Sequence, residues 1–179
     1  MMYAKQGASK MASSNFWFLC AAVAGSLTLA GCGGGSTPAT QSASCELPLK
    51  YADGANGGYR IGAASTLAVP RQFNACTLTQ IQAASVSLCI DHQQISELSA
   101  QLVLPNNTTQ TLNLQSAQTP GGTCLLTGKL FTITLSSAAL QSIGGLQGDW
   151  TVSLADTNQV STTPVGYLVG WSLKMDGAR

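Results

Sequence analysis

Apolar and polar side chains alternate with a period of two through much of the second half of the chain. The repeated apolar sets are Val86/Leu88/Ile90, Phe131/Ile133/Leu135 and Trp150/Val152/Leu154. Because side chains two residues apart share one face of a strand, each set predicts a strand with one face in a core. A last strand is expected from Val165 to Met175, and a helical turn from Ser136 to Ile143.

Turn residues separate these segments. Pro105-Asn-Asn107 stands between Leu102/Leu104 and Leu112/Leu114, which predicts a hairpin. Short strands divided by Gly, Pro and Asn favour an all-β, antiparallel β-sandwich, of jelly-roll or immunoglobulin type. Residues 45–81 carry weaker signals. Within them, Asp53-Gly-Ala-Asn-Gly-Gly58 is interpreted as a turn rather than a calcium loop, because it lacks alternating carboxylates and a final Glu.

A different pattern is found at the N-terminus. Lys5 and Lys10 precede an apolar run over residues 16–30, which is shorter than the roughly 20 residues of a membrane-spanning helix. A charged start, an apolar run and small residues at its end are the parts of an export signal. The run closes on Leu29-Ala-Gly-Cys32, which resembles a bacterial lipobox. The resemblance implies that residues 1–31 are a signal peptide and that Cys32 becomes the acylated first residue.

Small, uncharged residues follow Cys32. Residues 33–44 are rich in Gly, Ser, Thr and Ala, a composition typical of a flexible tether that spans about 20 Å on average. We therefore expect a lipidated Cys and tether over 32–44 and one folded domain over 45–179. Gly33 occupies the place where Asp retains lipoproteins in the inner membrane, so the resemblance implies a bacterial cell envelope location at the outer membrane.

The side-chain charge after residue 31 is close to zero. Six basic and seven acidic side chains remain, which gives −1. A chain with so few basic residues offers no patch for phosphates, so nucleic acid is excluded as an expected partner. Anionic lipid headgroups are not expected to be held by charge either, and the lipid on Cys32 is the expected contact with the membrane.

Four cysteines remain once Cys20 leaves with the signal and Cys32 carries lipid: Cys45, Cys76, Cys89 and Cys124. An even number in an exported chain predicts two disulfides. No pair has the two-residue spacing of a zinc knuckle, so neither a metal site nor another cofactor is expected. Sequence proximity favours Cys45–Cys76 and Cys89–Cys124, with Cys89 on the strand face that points away from the core, towards a covering loop.

Two stretches resemble the P domain (Homo B domain) that follows the catalytic domain of subtilisin-like proprotein convertases. The first runs from Asp91-His92 through Glu97-Leu98 to Pro105-Asn-Asn-Thr108. The second joins Gly148-Asp-Trp-Thr-Val-Ser-Leu-Ala-Asp156 to Gly166-Tyr-Leu-Val-Gly-Trp-Ser-Leu173. The resemblance covers about residues 84–179 and implies an eight-stranded, jelly-roll-like sandwich. It departs from the family pattern where Ser96-Glu97-Leu98 replaces Gly-Asp-Leu, and in its four added cysteines.

The spacing of Leu168 and Trp171 supports this interpretation. The two residues are three positions apart, so strict alternation would place them on opposite faces. Gly170 lies between them, and a glycine inside a strand often marks a bulge. A bulge at Gly170 would direct both side chains into the core, and we also expect Trp150 to point inward rather than to form a sugar platform.

No catalytic constellation is visible. A subtilisin-type triad needs Ser, His and Asp together, whereas the one histidine, His92, falls with Asp91 in a turn at the end of a strand. Glu97 is also not part of a recognisable pair of catalytic carboxylates, which a glycosidase needs. Tyr51 and Tyr59 flank the Gly-rich loop and are the aromatic residues chosen as ligand-facing candidates.

These observations favour a non-enzymatic, lipid-anchored accessory or binding module of the envelope with a protein partner. Carbohydrate binding, through the sandwich and the Tyr51/Tyr59 loop, is the alternative. A hydrolase that uses His92 is a remote alternative. A domain without an evident active site more often binds a partner than transforms a substrate.

Overall fold

The computed structural model describes residues 41–52, 57–63, 65–125, 128–141, 145–158 and 166–179. Its strands are β1 Ser42–Tyr51, β2 Tyr59–Ile61, β3 Thr66–Phe73, β4 Gln80–His92, β5 Leu98–Val103, β6 Thr109–Thr111, β7 Gln118–Thr123, β8 Lys129–Thr134, β9 Gly148–Asp156 and β10 Gly166–Ala178. A short helix, α1 Ser137–Gln141, and a 3-10 turn at Ile95–Glu97 complete the described elements. The export signal, Cys32 and residues 33–40 lie outside the described residues.

The strands form two sheets. Sheet 1 has the order β1-β10-β4-β8-β7, and β2 also pairs with β10, on the edge that β1 occupies further along. Sheet 2 has the order β3-β9-β5-β6. The pairings between these strands are all antiparallel. The expected all-β, antiparallel sandwich is confirmed.

The core lies between the two sheets. Leu88 and Leu173 from sheet 1 and Leu154 from sheet 2 are fully buried in one apolar cluster that also contains Trp150 and Trp171. Alternate residues of each strand enter this cluster, as the period-two pattern predicts. β4 and β10 have 13 residues each, which at about 3.3 Å per residue makes them roughly 43 Å long. They are the central strands of sheet 1.

The bulge expected at Gly170 is present. The pairing of β10 with β4 shifts register between Leu168 and Gly170, and both Leu168 and Trp171 are buried. A Cβ on Gly170 would stand 2.5 Å from the carbonyl oxygen of Lys50, because β1 crosses close to this point. The glycine therefore permits both the bulge and the close approach of β1.

The predicted hairpin is β5 and β6. Gln101, Leu102 and Val103 pair with Thr111, Gln110 and Thr109. Asn107 adopts a positive φ of 63°, which asparagine tolerates better than most residues. The Asn106 carboxamide oxygen accepts hydrogen bonds from the amide and hydroxyl of Thr108 and closes the turn.

The described residues contain ten strands, whereas the resemblance implied eight. The first three strands occupy the segment whose signals were weak, and β1 and β3 are edge strands that each contain a proline, Pro48 and Pro70. Burial does alternate along both strands, but a proline inside each strand and the charged Arg71 at an inward position of β3 weaken the pattern in the sequence. β1 begins at Ser42, three residues before the expected start at Cys45, because Ser42–Ser44 pair with Asp176–Ala178.

Among the described residues, no helix has the length and apolar character to cross a membrane. The helical turn expected near Ser136 is present as the five-residue α1. The apolar run over residues 16–30 is not part of the described structure.

Candidate functional site

Two disulfides tie the sandwich together. Cys45 bonds to Cys76 and Cys89 bonds to Cys124, with Cα atoms 5.6 and 6.0 Å apart. Both predicted pairs are confirmed. The first bond joins β1 to the segment between β3 and β4, and the second joins β4 to the loop before β8.

Cys89 lies on the face of β4 that points away from the core. Its neighbours Leu88 and Ile90 belong to the apolar cluster, whereas Cys89 is fully buried beneath the loop that carries Cys124. Gly128 packs against this bond, since a Cβ there would lie 2.9 Å from each sulfur. The disulfide thus holds a covering loop over the outer face of sheet 1.

His92 and Asp156 meet where β4 and β9 end. The distance from His92 Nε2 to Asp156 Oδ2 is 3.7 Å, and neither side chain is exposed. His92 Nδ1 accepts a hydrogen bond from the backbone amide of Gln94, so the imidazole proton lies on Nε2, facing the carboxylate. Neither Nε2 nor Oδ2 has a hydrogen-bond partner among the described residues.

Backbone and side-chain hydrogen bonds surround this pair. Asp156 Oδ1 accepts from the amide of Asn158, and the Asn158 carboxamide donates to Glu97 Oε1. The Glu97 carbonyl accepts from both the amide and the hydroxyl of Thr157. The network joins the 3-10 turn to the end of β9. The sequence pattern predicts His92 in a turn at the end of a strand, but it does not indicate that the ring faces Asp156.

This arrangement does not present His92 to a substrate. A general base needs to come within hydrogen-bond reach of the proton that it removes. His92 is 6% exposed, and Gly166 packs against the His92 ring and backbone closely enough to leave no room for a Cβ. A substrate could reach His92 only if this end of the sandwich opened.

Tyr51 and Tyr59 lie on the same edge of sheet 1. Tyr51 pairs with Gly170 at the end of β1, and Tyr59 pairs with Leu168 at the start of β2. Tyr51 is half-buried and Tyr59 is 37% exposed. Residues 53–56 of the intervening Gly-rich loop lie outside the described residues, and the ligand-facing role of the two tyrosines stays a prediction.

Arg71 of β3 connects the two sheets beside these tyrosines. Its Nη1 donates to the carbonyl oxygens of Pro48 and Trp171, each at 2.7 Å. The guanidinium carbon lies 5.3 Å from the centre of the Trp171 ring, a distance at which the cation is attracted to the indole face. Sequence analysis missed Arg71, because a single arginine in a weakly patterned segment carries no signal of its own.

The electrostatic surroundings of Arg71 include Tyr59. Burial lowers the pKa of Arg71 below its usual value, and the Tyr59 phenol acts in the opposite direction. The usual pKa of arginine is so high that the guanidinium remains charged. Tyr59, Arg71 and Trp171 are called the Arg71 cluster below.

The other surface features contain no sequence-predicted site residue. A groove of about 860 Å³ lies between the start of β4 and α1, where Ile81, Leu140 and Leu146 contribute apolar surface. It adjoins residues 142–144, which are outside the described residues. No group of three or more His, Cys, Asp or Glu side chains with the geometry of a metal site occurs among the residues that the structure describes.

This chain is similar to known proteins in sequence and in structure. The family model of the proprotein convertase P-domain matches residues 81–175, more than half of the 179 residues. No curated protein sequence matches the chain significantly. The solved structures that are similar in part include three for which this chain spans about a quarter of the length.

The first of these structures is the serine protease of Aeromonas sobria in complex with a chaperone, with 21% identity, a TM-score of 0.49, and coverage of 76% of this chain and 27% of that one. The same protease alone gives 18% identity, a TM-score of 0.46, and coverage of 75% and 27%. A β-porphyranase of glycoside hydrolase family 86 from the gut bacterium Bacteroides plebeius gives 12% identity, a TM-score of 0.48, and coverage of 79% and 22%. By the match over residues 81–175, the chain belongs to the proprotein convertase P-domain family.

Proposed function

We propose that this protein is a lipid-anchored accessory module of the bacterial cell envelope that binds a protein partner and does not catalyse a reaction. The observation that carries the proposal is a P-domain match over residues 81–175 in a sequence whose Leu29-Ala-Gly-Cys32 resembles a lipobox. The P domain is the companion of a catalytic domain in subtilisin-like convertases, and the proposal keeps that accessory role.

Lipid on Cys32 supplies the anchor. Diacylglycerol on the sulfur and a further acyl chain on the amine give three chains, each stabilised in the bilayer by about 0.8 kcal/mol per buried methylene. We infer that residues 33–41, between Cys32 and β1, serve as the tether that their composition favours. The sandwich is thereby presented close to the membrane, at the outer membrane in a Gram-negative host.

The absence of catalysis is supported by the closed end of the sandwich. His92 was the residue chosen for the hydrolase alternative, and its ring is buried against Asp156 and Gly166. Carbohydrate binding retains one observation in its favour, the exposure of Tyr59. Carbohydrate binding is one of the outcomes that the crosslinking experiment below distinguishes.

The anchor is tested by mass spectrometry of the N-terminus and by membrane fractionation of the full-length protein in its host. We expect an acylated Cys32 in the membrane fraction, and a Cys32→Ala protein that is no longer acylated there. Cys20→Ala is the matched control, since Cys20 lies in the apolar part of the same signal and is expected to be removed with it. An unmodified Cys32, or cleavage elsewhere, would contradict the proposal.

The partner class is tested by crosslinking in intact cells followed by purification. Reproducible crosslinks to a specific envelope protein support the proposal. Retention on cell-wall glycans that Tyr51→Ala and Tyr59→Ala abolish would instead establish the carbohydrate class. Hydrolytic activity that is lost in His92→Ala with an intact circular dichroism spectrum would overturn the non-catalytic role.

A further inference from the structure

We propose that the Arg71 cluster is a binding site for a carboxylate of a polypeptide partner, held by the free edge of the Arg71 guanidinium beside Tyr59. This inference rests on the protein-binding role proposed above. It adds to that role a location, on the side of the sandwich where β1 and β2 of sheet 1 approach β3 of sheet 2, and a chemical class for the group that is recognised.

The hydrogen bonds of Arg71 leave one edge of the guanidinium open. Nη1 carries two hydrogens, and the carbonyls of Pro48 and Trp171 accept both. Nε–H and Nη2–H are parallel donors on another edge of the same plane, and no hydrogen bond from either is found among the described residues. Two parallel N–H groups match the two oxygens of a carboxylate in a bidentate pair.

Among the described residues, no acidic side chain forms an ion pair with Arg71. The ion pairs found among the described residues are His92–Asp156 and Lys174–Asp176, and neither includes Arg71. Its protein hydrogen-bond partners are neutral carbonyls. A half-buried guanidinium that is partly removed from water and lacks a carboxylate gains more from an arriving anion than a fully solvated one does, because the effective dielectric constant is lower there.

The surroundings hold the guanidinium in place. The contact with the Trp171 ring and the two carbonyls fix the guanidinium plane before any ligand arrives. The Tyr59 phenol is an electrostatic neighbour of Arg71, and its side chain is 37% exposed. Lys50 is exposed and lies opposite Trp171 in the β1–β10 pairing, so it adds positive charge to this edge of the sheet.

The flanking strands favour a polypeptide as the source of the carboxylate. β1 pairs with β10 on one side and β3 pairs with β9 on one side, and no second strand partner is described for either. Both are edge strands in the part of the chain that the structure describes, and an edge strand is where an extended peptide can add to a sheet. A sugar carboxylate would use the guanidinium but not these edges.

The test uses full-length protein purified in detergent and labelled with 15N-arginine and 15N-tryptophan. The chain has three arginines, Arg60, Arg71 and Arg179, so the Arg71 Nε–H signal is assigned by its loss in Arg71→Lys. We expect this signal to shift saturably with acetyl-Ala-Glu-Ala-amide and not with acetyl-Ala-Gln-Ala-amide. Equal shifts with the two peptides, no shift with either, or tighter binding of inorganic phosphate or glucuronate would overturn the assignment.

Variants separate the site from general charge. Arg71→Lys keeps the charge but loses the fork, and we expect it to weaken binding of the Glu peptide about tenfold or more, as measured by the 15N-indole shift of Trp171. Arg60→Gln is the matched control, because Arg60 lies one residue from Tyr59 and projects from the opposite face of β2. We expect Arg60→Gln to bind as the wild type does.

A third variant covers the case in which Arg71→Lys does not fold. Lys50→Gln leaves the guanidinium contacts intact, and we expect it to weaken binding about threefold, the scale of an exposed charge interaction. Unchanged binding in a folded Arg71→Lys, or in Lys50→Gln where Arg71→Lys does not fold, overturns the inference. Crosslinks in cells that persist while the Glu peptide fails to bind would refute this site and leave the proposed function standing. Binding of the Glu peptide without a cellular protein partner would support the site and contradict the proposed function.

Discussion

His92 and Asp156 face each other across the two sheets, with Nε2 and Oδ2 3.7 Å apart and both side chains removed from solvent. His92 ends β4 and Asp156 ends β9, so the pair lies where sheet 1 and sheet 2 approach at one end of the sandwich. The distance is too long for a hydrogen bond, and the facing atoms are otherwise unpartnered among the described residues. The pair is therefore held by the packing of the two sheets.

We predict that His92→Ala destabilises the protein by about 2–5 kcal/mol, because it removes a buried ring and leaves a cavity beside Asp156 between the two sheets. Urea denaturation of the full-length protein, followed by circular dichroism, measures this free energy of unfolding. The double variant His92→Leu/Asp156→Leu is expected to be closer to the wild type, since it removes both polar groups. A stable single variant beside a strongly destabilised double one would contradict this account.

We predict that Trp171→Ala costs about 3–5 kcal/mol of folding free energy, because its ring is 1% exposed in the core and supports Arg71. The thermal unfolding midpoint measures the loss. Tyr167→Ala is a milder control on the same strand, since Tyr167 is only half-buried. Equal midpoints for wild type and Trp171→Ala would show that the ring is not part of the core.

We predict that Gly170→Ala destabilises the fold, since a Cβ there would meet the Lys50 carbonyl at 2.5 Å and the Tyr51 Cα at 3.1 Å. Backbone atoms cannot move aside as a flexible side chain can, so β1 would have to separate from β10. We expect a loss of about 1–3 kcal/mol, the range for overpacking. Gly145→Ala is the matched control, because a Cβ at Gly145 meets nothing within 4 Å. Similar unfolding midpoints for the two variants would refute the close approach of β1.

We predict that removal of the Cys89–Cys124 bond, by Cys89→Ser with Cys124→Ser, lowers stability by about 4 kcal/mol on a chain-entropy estimate for a loop of 35 residues. Loss of the covering loop should expose the outer face of β4 and β8 to hydrogen exchange. Peptide mapping without reductant checks the pairing itself. Recovery of peptides that link Cys45 or Cys76 to Cys89 or Cys124 would contradict the structure.

Much of the second half of the chain could be predicted from its pattern. The alternation around Val86, Phe131 and Trp150 identifies β4, β8 and β9, because a half-buried strand must alternate. The bulge at Gly170 followed from the three-residue spacing of two large apolar residues. The cysteine pairs followed from proximity along the chain and from the outward face of Cys89.

The edge strands and the contacts between distant segments could not be predicted in this way. β1 and β3 each contain a proline, which argues against a strand when only the sequence is read, and both lie at the edge of a sheet. Arg71 is separated from Trp171 by 100 positions, and nothing local to either residue indicates that they meet. The same holds for Asp156, which displaces Asp91 as the partner that sequence adjacency suggested for His92.

The sequence by itself determined the lipobox-like signal, the period-two strands, the hairpin turn and the inward direction of the two tryptophans, because these depend on residues close together in the chain. The tertiary structure alone decided the strand order, the burial of His92 against Asp156 and the position of Arg71 between the sheets. These depend on how two sheets stack, which brings strands far apart in sequence into contact and determines which polar side chains lose their access to water.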